Sequence, residues 1–248
     1  MRFCFLAPAF VQILVLILLG LAPHPPLDSL LAPPIRFFAN ENVLHYPWHL
    51  LWLYHVTPRV HALAMALVGA GLSGVAACLA ADAVRQKPMS LRLLFASRRV
   101  RFSQCLFAWV VIWLLSELMA QGLRTLSLPG MLTLGSYLAG VTLLQAFGVY
   151  AIPAVALSGF SAFRALLAGA QRCLRSPLET LCIVLPPLVI LFLFSLISTE
   201  NRIGAWLLRT EPEWVTVPIA LRLMLWTVAD AWLTTAAAIA WIKPSVSP

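Results

Sequence analysis

Hydrophobic residues in this chain fall into six long runs, separated by shorter segments that are rich in proline, charge or both. Each run is long enough to cross the hydrocarbon core of a bilayer as an α-helix, which takes about 20 residues. The pattern therefore predicts an all-α, polytopic membrane helix bundle, built as one integral membrane domain over residues 1–248. The expected spans are 5–22, 61–83, 104–123, 131–157, 178–198 and 217–242.

The segment between the first two runs predicts an amphipathic helix on the outer face of the membrane, over residues 42–57. Tyr and Trp collect at the depth of lipid headgroups, and this segment interleaves them with leucines. We expect the helix to begin near Pro47 and to end before Pro58, because proline suits the first turn of a helix and disrupts its interior. The aromatic residues are Tyr46, Trp48, Trp52 and Tyr54.

The first run, Met1–Ala22, has two interpretations: a cleaved signal peptide or a retained first span. Pro23 directly follows the most plausible cleavage point, and proline is unfavourable there. We therefore expect an uncleaved helix with its amino terminus inside. Both interpretations leave the next loop on the outer side of the membrane.

The composition agrees with lipid as the main solvent. Hydrophobic residues make up 61% of the chain, charged residues only 10%, and the mean hydropathy is +0.91. A soluble domain carries about 25% charged residues. The net charge of +8 would suit nucleic acid, but the cations cluster in loops beside apolar runs. There they set topology and meet anionic headgroups, so we expect membrane lipids and no nucleic acid as partners.

One basic loop, between the second and third runs, orients the whole bundle. Lys and Arg beside a membrane helix hold a loop on the cytoplasmic side. A second basic segment, 158–176, follows the fourth run, and most acids fall in the opposite loops. The pattern predicts a bacterial inner-membrane protein with both termini in the cytoplasm. The cations of the main loop are Arg85, Lys87, Arg92, Arg98, Arg99 and Arg101.

The stretch Ser161–Leu188 reads SAFRALLAGAQRCLRSPLETLCIVLPPL, a basic amphipathic segment that leads into a span with Pro186 and Pro187 in its interior. In this arrangement the chain resembles bacterial six-helix membrane domains, such as the membrane domain that accompanies some glycerophosphodiester phosphodiesterases. The resemblance covers about a third of the chain. It implies a fold and transfers neither activity nor site residues, because the chain contains no phosphodiesterase catalytic domain.

Ionisable residues inside the apolar runs are candidates for function, because burying them in hydrocarbon is costly. Glu117 and Arg222 fall at similar depths, which predicts an ion pair. Asp230 and Gln145 lie near the middle of their runs, which predicts a hydrogen bond. Arg222, Trp226 and Asp230 share one helix face. These groups serve either as structural pairs that fix helix register or as a polar pathway for a proton, an ion or a small solute, with Asp230 titrating.

Histidines at the outer face are candidate ligands for a metal, haem or another pigment. His45 and His49 are four residues apart, which would place both on one side of a helix. Pro47 lies between them, and Glu41 is the nearest acid. Histidine is also an ordinary interfacial residue beside tryptophan, so an anchoring role is the alternative.

The chain has no G-x-S-x-G, H-E-x-x-H or phosphate-binding P-loop sequence, which argues against a hydrolytic enzyme. A lipid-modifying or haem-binding enzyme that uses the outer histidines stays open as a third hypothesis. The second run carries small residues every four positions, from Ala62 to Cys78, a pattern that favours close helix packing in lipid. The leading hypothesis is a non-catalytic membrane subunit or assembly protein that packs beside other membrane proteins. The alternative is a small transporter or permease component that uses the intramembrane polar residues.

Overall fold

A computed structural model of the chain describes residues 2–39, 41–46, 48–86, 101–125, 130–199 and 212–242. These residues form helices joined by short turns and contain no strand, so the predicted all-α helix bundle is confirmed. The α-helices are α1 (Arg2–Gly20), α2 (Asp28–Ala39), α3 (Trp48–Ala64), α4 (Ala70–Val84), α5 (Phe102–Thr125), α6 (Gly130–Gly148), α7 (Ala151–Ser158), α8 (Ala162–Arg175), α9 (Pro177–Thr199) and α10 (Thr216–Ile242).

Six helical segments in the described residues have the length and apolar composition needed to cross a membrane. They correspond in order to the six runs of the sequence and are consistent with a multi-pass membrane protein. The segments are Phe3–Gly20, Trp48–Val84, Phe102–Leu123, Gly135–Ser158, Pro177–Phe194 and Thr216–Ile242.

The second span differs from its prediction at the amino-terminal side. Residues 41–44 form a 3₁₀ turn, and α3 then continues through Pro58 to a π-helical turn at Met65–Gly69 that joins it to α4. The expectation that a separate helix over 42–57 ends before Pro58 is therefore wrong. Pro58 withholds one N–H from the carbonyl of Tyr54, but the surrounding helical bonds carry the helix past it.

The fourth span is interrupted where a single helix was expected over 131–157. A turn at Val149 and Tyr150 separates α6 from α7. Pro153 has no N–H to donate to the carbonyl of Val149, so the helical ladder lacks a bond at this point. The ladder resumes when the N–H of Ala154 donates to the carbonyl of Tyr150, at 2.9 Å.

The chain divides into two compact units. The first comprises Met1–Phe5, Ala66–Ile190 and Val228–Pro248, and α4 lies at its centre. Every residue of α4 from Ala70 to Ala81 is buried, because helices α5 and α7 pack against it. Its small residues let these neighbours approach closely, as the sequence pattern indicated.

The second unit comprises Leu6–Met65 and Leu191–Thr227. One apolar cluster in it joins Leu16 of α1, Leu53 and Val60 of α3, and Leu223 of α10. A second cluster lies around α2 and the 3₁₀ turn, and comprises Ala22, Ala32, Ile35 and Leu44. These clusters hold α1, α3 and the first part of α10 side by side around a group of polar side chains.

Candidate functional site

Arg222 is a buried cation of the second unit, with only 8% of its surface exposed. Its Nη2 donates a hydrogen bond of 2.8 Å to the hydroxyl oxygen of Tyr54. The guanidinium carbon lies 4.4 Å from the centre of the Tyr54 ring and 5.7 Å from that of Trp226. Two aromatic faces thus stabilise the positive charge by cation–π attraction.

His61 and Gln12 extend this polar group across the unit. The imidazole of His61 lies over Trp226 with ring centres 4.3 Å apart. Its Nδ1 is 3.3 Å from Oε1 of Gln12, a side chain that is almost completely buried in α1. These contacts form a connected series, which we call the Arg222 cluster. Its members are Gln12, His61, Trp226, Arg222 and Tyr54.

The Arg222 cluster is rich in hydrogen-bond donors and positive charge. A guanidinium carries five N–H groups, and only one of them is used on Tyr54. Arg222 forms no salt bridge with a carboxylate among the described side chains of its own unit. It lies six residues into α10, which is about 9 Å from the start of that helix. Chemically, the cluster can hold three helices together or attract an anionic group of a solute.

Glu117 lies on an open surface of the first unit. Only Cys105 and Ala108 are buried among the described side chains of α5, and Glu117 is exposed. Trp113 and Gln121, one turn before and one turn after Glu117, are exposed on the same face. We call these three residues the Glu117 face. Glu117 is six residues from Leu123, so its carboxylate lies about 9 Å inside the end of the apolar segment.

The predicted pairs of intramembrane residues are distributed over both units. Glu117 belongs to the first unit and Arg222 to the second, so their ion pair stays a prediction. Asp230 of α10 and Gln145 of α6 are both half-buried in the first unit, and their hydrogen bond also stays a prediction. Trp226 and Arg222 do share one face of α10, as the spacing of four indicated.

His49 has a structural position that the sequence did not indicate. Its ring is 5% exposed, with Nε2 3.2 Å from the carbonyl oxygen of Gly20 and Nδ1 3.2 Å from that of Val43. Both ring nitrogens therefore face backbone oxygens, and His49 joins the end of α1 to the start of α3. His45 is exposed. No group of three or more metal-ligating side chains occurs among the residues with described positions.

The basic loop is described only at its ends, where Arg85 and Arg101 are both exposed. The remaining cations of the loop lie outside the described residues. The second basic segment is described in full, and it forms α8 as expected.

Sequence reasoning missed Tyr54 and Gln12 as members of the Arg222 cluster. Tyr54 had been assigned to the membrane surface because of its aromatic neighbours, yet its hydroxyl accepts from a residue 168 positions away. Gln12 had a signal that was available: it is the one amide or charged side chain in the apolar run 4–22. An isolated polar residue in such a run is expected to face another polar group.

Comparisons of the chain with known protein families, curated proteins and solved structures found no match. The Arg222 cluster and the Glu117 face are therefore the features of the chain that bear on its function.

Proposed function

We propose that this protein is a non-catalytic subunit of a membrane-protein complex in the bacterial inner membrane, with both termini in the cytoplasm. The observation that carries the proposal is the Glu117 face. A carboxylate that faces hydrocarbon is costly by a few kcal/mol, so a membrane helix with an exposed glutamate gains from a partner that supplies a donor or a cation.

The neighbours of Glu117 suit an interface between helices. Trp109 and Trp113 stack with ring centres 6.1 Å apart and an angle of 6° between planes, which forms a flat aromatic surface next to the carboxylate. Gln121 adds an amide that can both donate and accept. Polar side chains at such spacing hydrogen-bond across helices in membranes and fix the register of the pair.

Site-specific photo-cross-linking in native membranes tests this proposal. A photoreactive amino acid at Leu118 or Gln121, both exposed on α5, should give a discrete cross-linked protein band. The matched control is Val228 of α10, which is 60% exposed. Glu117→Leu should weaken the band from Gln121, because it removes the polar contact. Equal labelling at all three positions, or no protein adduct at Leu118 and Gln121, would contradict the proposal.

A second candidate function is transport of a small solute or proton, favoured by the continuous contacts of the Arg222 cluster inside an apolar unit. In this alternative Arg222 attracts an anionic group and Asp230 titrates during the cycle. Asp230→Asn and Arg222→Gln would then abolish transport in vesicles while leaving the amount of folded protein unchanged. A structural role predicts the opposite result, namely lower protein levels with no separate effect on flux.

A further inference from the structure

Helix α8 is held in a fixed orientation by contacts at its start, middle and end, all within the first unit. At its start, the N–H of Ala162 donates to Oε1 of Gln104 at 2.8 Å. In its middle, Gly169 approaches α6 so closely that an added Cβ would lie 3.0 Å from the carbonyl oxygen of Phe147. Gly159, with φ of +66°, makes the left-handed turn from α7 that this position requires.

Near its end, Arg172 fastens α8 to two other helices. Nη2 donates to the carbonyl oxygen of Ala240 in α10 at 3.0 Å and lies 3.4 Å from Oε2 of Glu179 in α9. Arg172 therefore has a structural role, although the sequence groups it with Arg164 and Arg175 as one basic segment. The side of α8 that packs on the protein is small and buried, and comprises Ala162, Ala165, Gly169 and Cys173.

The outward side of α8 is divided into an apolar stripe and a basic stripe. Phe163, Leu167 and Leu174 are 68%, 52% and 72% exposed, and Arg164 and Arg175 are exposed as well. At about 100° per residue, the three apolar side chains fall within about 40° of one another, and the two arginines fall within about 20° of each other beside them. This is the pattern of a helix that lies along a membrane surface.

The positions of the neighbouring spans along the chain also place α8 at the membrane surface. The candidate span Gly135–Ser158 ends just before α8, and the candidate span Pro177–Phe194 begins just after it. A helix between the ends of two membrane-crossing segments lies at the boundary between lipid and water. Its apolar stripe can then enter the acyl region, while its arginines reach the phosphate layer.

We propose that α8 is a binding site for anionic lipid headgroups, with Arg164 and Arg175 each holding the phosphate of a separate lipid. The two arginines are eleven residues apart, about 16 Å along the helix, which is too far for one phosphate to contact both. Guanidinium groups bind phosphate oxygens in a bidentate manner. Charge complementarity and the adjacent apolar stripe together identify the occupant as a phospholipid with a net negative charge.

Native mass spectrometry of the purified full chain, titrated with phosphatidylglycerol or phosphatidylcholine, measures this binding directly. We expect two phosphatidylglycerol molecules to be retained. Each of the variants Arg164→Gln and Arg175→Gln should weaken the binding of one of these lipids about fivefold, so that one fewer is retained. Arg164→Lys should retain part of the affinity. The charge-matched control Arg36→Gln with Arg59→Gln, at exposed positions of the second unit, should change neither number.

Three results would overturn the proposal: equal retention of both lipids, equal loss in the control pair, or displacement of the bound lipid by inorganic phosphate alone. The last result would identify a site for free phosphate instead.

A second measurement addresses the apolar stripe, in a background where the exposed Cys182 is replaced by Ser. A fluorophore on Leu167→Cys should be quenched by brominated acyl chains, and one on Ala168→Cys, about 100° away around the helix on the side of the arginines, by aqueous iodide. Identical quenching at both positions would refute the surface orientation of α8.

Discussion

Individual polar side chains in this protein provide partners for the backbone groups that helix ends leave open. His49 faces the carbonyl of Gly20 at the end of α1, and Arg172 donates to the carbonyl of Ala240 near the end of α10. Gln104 accepts from the first N–H of α8. Such groups have no partner within their own helix, and in lipid no water replaces it. These side chains therefore satisfy groups at helix ends and join each of these ends to a neighbouring helix.

Replacing His49 with Ala is expected to destabilise the protein by about 1–3 kcal/mol, because the buried ring is removed and its N–H no longer donates to the carbonyl of Gly20 or of Val43. Thermal unfolding in detergent micelles, followed by circular dichroism, measures the loss. His45→Ala is the matched control, since His45 is exposed and only four residues away. Similar melting of the two variants would show that the contacts of His49 contribute nothing to stability.

Tyr54→Phe separates the two interactions that Tyr54 makes with Arg222. The variant loses the hydroxyl that accepts from Nη2 but keeps the ring beneath the guanidinium. We expect a loss of about 1.5–3 kcal/mol, the value for a hydrogen bond to a charged group. Tyr54→Leu should lose about 0.5–2 kcal/mol more through the missing cation–π contact. Equal stability of Phe and Leu variants would rule out a contribution from the ring.

At the scale of helices, close approach depends on particular glycines. Gly169→Ala would place a methyl group 3.0 Å from the carbonyl oxygen of Phe147, against backbone that cannot move alone. A loss of about 1–3 kcal/mol is expected from this overpacking. Gly122→Ala on α5 meets nothing within 4 Å and should gain up to about 1 kcal/mol of helix propensity. Unfolding of both variants in sodium dodecyl sulfate titrations tests whether the two changes in the free energy of unfolding have opposite signs.

Several helix bounds could be read from the sequence, because apolar length and flanking proline report directly on the chain. The bounds of α9, Pro177–Thr199, and of α10, Thr216–Ile242, agree within one residue with the expected spans. Hydropathy cannot report which proline a helix tolerates. Pro58 lies inside α3, whereas Pro153 coincides with a break in the fourth span.

The candidate site was predictable only in part. An arginine in an apolar run is expected to be functional or paired, because burying its charge is costly, so Arg222 could be selected from the sequence. Its contacts could not, because the depth estimate used to pair it with Glu117 contains no information about rotation around the helix axis. Within its own unit, Tyr54 and Trp226 contact it. The same information about rotation is needed to tell that Arg164 and Arg175 of α8 face outward, whereas Arg172 contacts other helices.

For the whole molecule, the distribution of basic residues makes orientation in the membrane a strong prediction. Cytoplasmic loops of inner-membrane proteins carry the excess of Lys and Arg. The lipid site proposed on α8 belongs on that same side, because both basic segments follow spans that run inward in the expected topology. The orientation therefore links the proposed headgroup site to the side of the membrane on which it acts.

Reporter fusions along the chain test this orientation. Alkaline phosphatase, which is active only outside the cytoplasm, should be active when fused after residues 28, 127 or 205 and inactive after residues 90, 160 or 248, while green fluorescent protein should show the opposite pattern. Neutralising Arg85, Arg92, Arg98 and Arg99 together should produce mixed orientations, because the bias that retains the loop is lost. An amino-terminal tag that remains on the mature protein would identify residues 1–22 as a retained span. Phosphatase activity after residue 160 would contradict the topology and would place α8 on the outer surface.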